Sequence, residues 1–519
     1  MTDPHVSHHG VTKARGCAHV AVGKFSRLFP DLDNLVITED EAAAIGGPGG
    51  VMHDFDDSSP DGDVPAGYIF FAQFIDHDIT LDTTSPLRPD TPLTAKEVGK
   101  LGNLRSASLD LDAVYGFGPE GSPHLYDAAN PHCLAVHPNG RDLARSPSGT
   151  ALIGDPRNDE NIFLAQLHLV FHLLHNRIYF ERVRQTDITD RTWSRFEAAQ
   201  QETRYHYQWV VLFDFLKRIC DPKIYAFAVT KLCDPDENFP LCYGPQKHNK
   251  QPEKNGKMPE EKGELVEEHG ELPMPVEFST AAFRVGHAMV RNRYAINGGA
   301  KDVELFDTRF GTQGFTALPE ELVIDWRFML EMTPHVQPRM SKAFNPLLAD
   351  DLQNLPIVPS KNPNNRALAF RNLMRASALG VPSGQAVAKE LKAKGYPLEV
   401  QDLKLDTLKS WKRVENVLHK SGKDLATETP LFFYLLRESE LVSGGRRYGP
   451  VGSALLLEVF GGMLRFCENS IISNPKWRPD RCIASDHDEI DMKKLIEDPD
   501  YNPLQLRDLV HFAQRTALS

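Results

Sequence analysis

Apolar positions recur with a period near 3.6 in four long stretches of the chain. The stretch 161–185, NIFLAQLHLVFHLLHNRIYFERVRQ, keeps a broad apolar face and predicts a helix, resumed after a break over 195–219. Residues 276–294 and 452–471 predict further helices, and 68–79 a shorter one. Strict alternation of apolar and polar residues, the mark of half-buried strands, is scarce. The pattern predicts a mainly α fold with little β-structure. Residues 28–66 and 117–158 are rich in Pro, Gly and Asp and read as loops. Residues 244–272 are charged and Pro/Gly-punctuated, too polar to offset the entropy of ordering, and read as a mobile surface insertion. No internal repeat is visible.

Composition narrows the function classes. The chain has 519 residues, 41% hydrophobic and 25% charged, as in soluble globular proteins. Its 58 basic and 71 acidic residues give a net charge of −13, with no basic block, which argues against a nucleic-acid surface. The N-terminal MTDPHVSHHGVTKARG lacks the apolar core of a secretory signal. No run approaches the ~18 consecutive apolar residues of a membrane-spanning helix. These features predict a cytoplasmic protein, or one exported by a route that leaves no N-terminal mark. Seven scattered cysteines without a CxxC pair predict isolated thiols, not a disulfide framework or structural zinc site.

Four segments carry candidate chemistry. In FAQFIDHDIT (71–80), His77 stands between Asp76 and Asp78 in apolar surroundings, where an unpaired carboxylate is costly. On a helix, Gln73 and His77 share a face with Asp76 beside them, while Asp78 is turned about 100° from His77. The two aspartates therefore meet different neighbours, although a solvated polar face has the same spacing. RSASLDLDAVYG (105–116) sets Ser106, Ser108, Asp110 and Asp112 at alternating positions. In an extended loop these point one way and, with a further carboxylate such as Asp78, suit Ca²⁺; a Ser/Asp-rich surface turn reads equally. In GDPRNDENIF (154–163), Asp155 or Asn158 could cap the following helix. Arg157 and Glu160 lie at i, i+3, either as a surface ion pair or with the arginine aimed at an anionic or peroxidic ligand. His168, His172 and His175 follow on that helix without the glutamate of an HExxH pattern, so they predict packing rather than a metal site. In AAFRVGHAMV (281–290), Arg284 and His287 lie at i, i+3. As a metal ligand His287 would need an acceptor for its second nitrogen. FRNLMRASALGVPSGQA (370–386) offers Asn372 for that purpose and Arg375 for a ligand carboxylate.

In this order the segments resemble the animal haem peroxidase superfamily, most of all its bacterial, peroxinectin-like members. FAQFIDHDIT is similar to the family's distal-histidine helix, SASLDLDAVYG to its calcium loop and DPRNDE to its catalytic-arginine segment. FRVGH is similar to its proximal-histidine helix, RNLMRASALGVPSGQA to the segment that follows, and RRYGPVGSALLLEVFGGML (446–464) to its C-terminal packing helix. The matches span about residues 60–480. The resemblance implies one large helical domain over 1–519. It implies a haem b peroxidase that reduces hydrogen peroxide and oxidises small organic donors or halides through a ferryl state. By the same resemblance His77 is the distal acid–base, Arg157 stabilises developing charge, and Gln73 holds water or halide. His287 is the proximal iron ligand, with Asn372 accepting its second N–H, and Arg284 and Arg375 meet the haem propionates. Asp76 and Glu160 match sites of ester bonds to haem. Asp78, Ser106, Ser108 (through its carbonyl), Asp110 and Asp112 match ligands of Ca²⁺.

The chain departs from the family at informative places. Asn161 follows Glu160 where myeloperoxidase has a haem-bonded methionine, so that link is expected to be absent. Arg284 stands where fatty-acid oxygenases of the superfamily carry a radical-forming tyrosine, which favours a peroxidase over the alternative of a fatty-acid dioxygenase. Asp112 replaces a serine common in animal relatives but keeps the ligand chemistry. A non-catalytic adhesion protein on the same scaffold is the other alternative; the distal residues are all retained and no RGD or KGD occurs. A monomer without a nucleic-acid partner is expected.

Overall fold

The computed structural model describes residues 23–82, 91–184, 194–245, 272–306 and 314–515, apart from 357, 359, 409, 410, 413, 416, 418–423, 481, 482 and 484–489. The mainly α expectation holds. The principal helices are α1 (Glu39–Gly46), α2 (Gly67–Ile79), α3 (Ile162–Ile178), α4 (Ser194–Trp209), α5 (Pro222–Cys233), α6 (Leu368–Ala378), α7 (Leu431–Ser443), α8 (Pro450–Arg465) and α9 (Leu506–Gln514). The strands are short. Gly23–Ser26 pairs antiparallel with Gly102–Asn103 and parallel with Met274–Pro275, and Asp61–Pro65 pairs antiparallel with Met340–Lys342.

α2 is apolar nearly all round, so it is buried rather than laid on the surface. It packs on α3 through stacked rings: Phe70 on Phe163 at 4.4 Å and Phe74 on Phe171 at 4.5 Å between centroids. Its first residue must be glycine. The Gly67 N–H donates to the Met329 carbonyl at 2.9 Å, and a Cβ there would lie 2.8 Å from that oxygen.

α3 begins at Asn161, whose side chain accepts the Leu164 N–H at 2.9 Å. The expected caps, Asp155 and Asn158, lie further upstream: Asp155 instead caps a 3₁₀ turn, Pro156–Asp159. α4 continues through a π turn (Val210–Phe215) into Leu216–Ile219, as the unbroken pattern over 195–219 predicts. The predicted helix 276–294 is shorter and changes pitch. A π turn, Phe278–Ala282, runs into a 3₁₀ helix, Phe283–Met289, and the chain is then extended at Arg293–Tyr294. In a 3₁₀ helix residues three apart eclipse, so Arg284 and His287 do share a face. This segment packs against α2, α6, α7 and α8.

One continuous apolar core takes in residues from all of these helices. Cys467 is disulfide-bonded, which corrects the expectation of isolated thiols at that position; Cys133, Cys220, Cys233 and Cys242 are free. Most of the proposed 244–272 insertion (246–271) lies outside the described residues. Among those described, no helix is long and apolar enough to cross a membrane.

Candidate active site

α2 separates its two aspartates as its geometry requires. Gln73, Asp76 and His77 meet the Pro156–Asp159 turn, the Glu160 and Asn161 that follow it, and the Phe283–Met289 helix, while Asp78 meets the 105–116 loop. The His77 ring is held by its Nδ1, 2.8 Å from Asn158 Oδ1. Burial and the nearby Arg157 push its pKa down to about 4, so the imidazole is neutral at neutral pH and can accept a proton. Burial alone would raise the Asp76 carboxyl, but the Arg284 guanidinium at 3.2 Å and Arg157 outweigh it and hold Asp76 ionised. Gln73 donates to Glu160 and accepts from Asn161 at 3.4 Å.

The Pro156–Asp159 turn aims Arg157 at the end of α2. Asp155 accepts the Arg157 backbone N–H at 2.9 Å and pairs with its guanidinium at 2.7 Å. The same Nη2 donates to the carbonyls of His77 (3.1 Å) and Thr80 (2.8 Å), satisfying oxygens that the end of a helix leaves unpaired. Nη1 makes no hydrogen bond among the described residues. Burial pushes the Glu160 carboxyl up to about 7 against the pull of Arg157 and Gln73. The turn is clamped from outside at Gly314 (φ +78°), where a Cβ would lie 2.1 Å from the Asp159 oxygen.

Across from α2, burial and Arg284 push the His287 pKa down to about 3, leaving a neutral imidazole of the kind that binds metals. Its Nδ1 lies 3.5 Å from Asn372 Nδ2; turning that amide over presents Oδ1, the acceptor an Nδ1–H needs. A Cβ on the neighbouring Gly286 would meet no atom within 4 Å, so the backbone beside His287 borders open space. Arg284 also donates to the Ser279 carbonyl at 2.9 Å, and Asp76 is the charge felt by both His77 and His287. Arg375 is turned toward Asp82. A neutral histidine beside open space, with carboxylates and a guanidinium close by, fits a haem.

A second set forms behind α2. Carboxylate oxygens of Asp78, Asp110 and Asp112 all lie within 4.8 Å of one another. Asp78 Oδ2 accepts from Tyr207 and from the Leu111 N–H, each at 3.2 Å, but its buried Oδ1 has no hydrogen-bond partner among the described residues. Burial raises all three against the pull of Arg204 and Arg105, and neighbouring carboxylates add to it at Asp78 and at Asp112, which is pushed up to about 8. The expected extended alternation is not what gathers them. Leu111 adopts a left-handed conformation (φ +59°), strained for a leucine, and turns Asp110 and Asp112 to the same side. Ser106 Oγ donates to Asp110 at 2.9 Å, whereas Ser108 Oγ lies 3.9 Å from the Cys467 sulfur. The donors are the hard oxygens that Ca²⁺ takes.

Sequence reasoning missed Asn158 as the partner of His77 and Asp155 as the anchor of Arg157, having read both only as helix caps. Their nearness to Arg157 was the available signal. The 81-residue separation of Asn158 from His77 hid the rest.

A family model of the animal haem peroxidases matches residues 88–419, more than half of the chain. No curated protein matches in sequence. Among solved structures, peroxidase A from Dictyostelium discoideum is similar at 13% identity and a TM-score of 0.59, over 96% of this chain and 99% of that one. Fatty acid α-dioxygenase from Oryza sativa is similar at 15% identity and 0.55, over 93% and 78%. The Arabidopsis thaliana α-dioxygenase is similar at 13% and 0.55, over 93% and 76%. At these identities the structural likeness shows a shared helical fold. With the match over 88–419, it follows that the chain belongs to the animal haem peroxidase family.

Proposed function

We propose that the protein is a haem-dependent peroxidase that reduces hydrogen peroxide and oxidises small organic donors or halides. The observation that carries this reading is the pair of neutral histidines, His77 and His287, on adjacent elements joined by the Asp76–Arg284 ion pair. Haem, when bound, supplies an iron at which peroxide is reduced and from which a donor is oxidised. His287 would hold the iron, with Asn372 turned to accept its Nδ1–H. His77 Nε2 would take a proton from hydrogen peroxide and return it to the departing oxygen. Arg157, fixed by Asp155, would stabilise the charge that develops as the O–O bond breaks, and Gln73 would orient water or halide. Arg284 and Arg375 would exchange their present aspartate partners for the haem propionates, and Asp76 and Glu160 would be the sites of ester links. Asp78, Ser106, Ser108 (by its carbonyl), Asp110 and Asp112 would hold Ca²⁺, which supplies the positive charge that the buried carboxylates need.

A fatty-acid dioxygenase is the second reading, because the fold is shared with α-dioxygenases. Arg284, three residues before His287 and paired with Asp76, weighs against it. The test is reconstitution with haem. The expected result is a Soret band that responds to hydrogen peroxide, donor oxidation, and no oxygen uptake with linoleate. A protein that takes up no haem would overturn the reading, and oxygen uptake with linoleate would replace it by the second.

A further inference from the structure

Of the three histidines on α3, none used by the proposed mechanism, two are linked to the site. His172 Nδ1 is 3.0 Å from the Ala135 carbonyl, and His172 Nε2 is 3.0 Å from His168 Nε2. His168 Nδ1 is 2.9 Å from Asn158 Nδ2, and Asn158 Oδ1 is 2.8 Å from His77 Nδ1. His168, His172 and Asn158 are fully buried. The contacts form one unbranched line from a backbone carbonyl to His77.

We propose that this line sets the tautomer of His77, with Asn158, His168 and His172 as positioning residues. The direction follows from its end. A carbonyl only accepts, so His172 must carry its proton on Nδ1. A neutral His172 then accepts at Nε2, which requires His168 to donate from its own Nε2. His168 therefore accepts at Nδ1, and only the NH₂ of Asn158 can donate there. That leaves Asn158 Oδ1 to accept from the Nδ1–H of His77, and His77 Nε2 keeps its lone pair for a substrate proton. The reversed line turns Asn158 over, places the His77 proton on Nε2, and ends with a bare His172 Nδ1 against the Ala135 oxygen. Only a buried imidazolium would relieve that clash, and burial disfavours it: the His172 pKa is pushed down to about 4. The Ala135 carbonyl, one helical turn beyond His168 along the same face of α3, thus decides which nitrogen of His77 is the base.

The proposal rests on His77 being the proton acceptor of the peroxidase reading, but its main test does not. In ¹⁵N-histidine-labelled protein the nitrogen shifts of each ring report where its proton sits. The measurement uses the diamagnetic ferrous carbonyl form, or the protein as purified if it carries no haem. The expected pattern is Nδ1–H on His77, Nε2–H on His168 and Nδ1–H on His172; any other pattern overturns the proposal. His172→Leu removes the acceptor for His168. It should shift His77 toward Nε2–H and slow the peroxide reaction roughly tenfold or more. His172→Gln, whose amide can still accept from His168 and donate to Ala135, should keep the pattern and recover most of the rate. A His172→Leu protein that retains the wild-type pattern and rate would overturn the proposal. Should that variant not fold, the wild-type pattern and His172→Gln still decide it. Failure to bind haem would sink the peroxidase reading and leave the tautomer pattern standing.

Discussion

Asp76 and Asp78 are two residues apart on one buried helix and are stabilised in different ways. Asp76 is ionised against Arg284, whereas Asp78 faces two more carboxylates and keeps one oxygen unpaired among the described residues. Substitution should separate their roles. Asp78→Asn should weaken Ca²⁺ binding by chelator-stripped protein, measured calorimetrically; binding as tight as the wild type's would remove Asp78 from the site. Asp76→Ala and Glu160→Gln should each leave haem bound but release it more readily to acidified acetone. His77→Ala should bind haem and react with hydrogen peroxide about 10²-fold more slowly or worse, by stopped flow. A wild-type rate there would show that another group moves the proton.

At the scale of elements, α2 is placed by aromatic packing and its surroundings by buried caps. The Phe74 ring is stacked on Phe171 and meets Tyr207 edge-on, so Phe74→Ala would open a cavity under the site. The expected loss is ~3–5 kcal/mol in urea unfolding, and a loss below about 1 kcal/mol would mean that the packing collapses around it. On α7, the buried Glu438 accepts the Val451 N–H at 3.1 Å at the start of α8, yet burial still raises its pKa from 4.5 to about 8. The folded state therefore holds this proton more tightly than the unfolded chain does. Its contribution is fully present below pH 4.5 and is lost as pH rises through about 8. Glu438→Gln, which cannot ionise, should show a flatter dependence of the urea midpoint on pH across that window. Parallel profiles for variant and wild type would rule the linkage out.

At the scale of the whole molecule, the candidate site lies where segments distant in sequence meet: α2, the Pro156–Asp159 turn, the Phe283–Met289 helix and α6. Calcium bound between α2 and the 105–116 loop would tie two of these segments together. Chelation should therefore lower the thermal midpoint and added Ca²⁺ should restore it, as any ligand of the folded state alone must; an unchanged midpoint would argue against a structural ion. The chain by itself determined the helical class, the positions of α2, α3, α4 and α8, and the residue types of the site, because helical periodicity and the placing of polar residues in apolar runs are local properties. It misplaced the cap of α3 and lengthened the His287 helix, since side-chain capping and a change of helical pitch depend on neighbours that periodicity does not see. Tertiary structure alone decided that Asn158 holds His77, that Asp155 anchors Arg157, that a left-handed Leu111 gathers the aspartates, and that His168 and His172 join the site. The physical reason is common to all four: a buried polar group must find a partner, and which partner it finds is settled by packing between segments far apart in the chain.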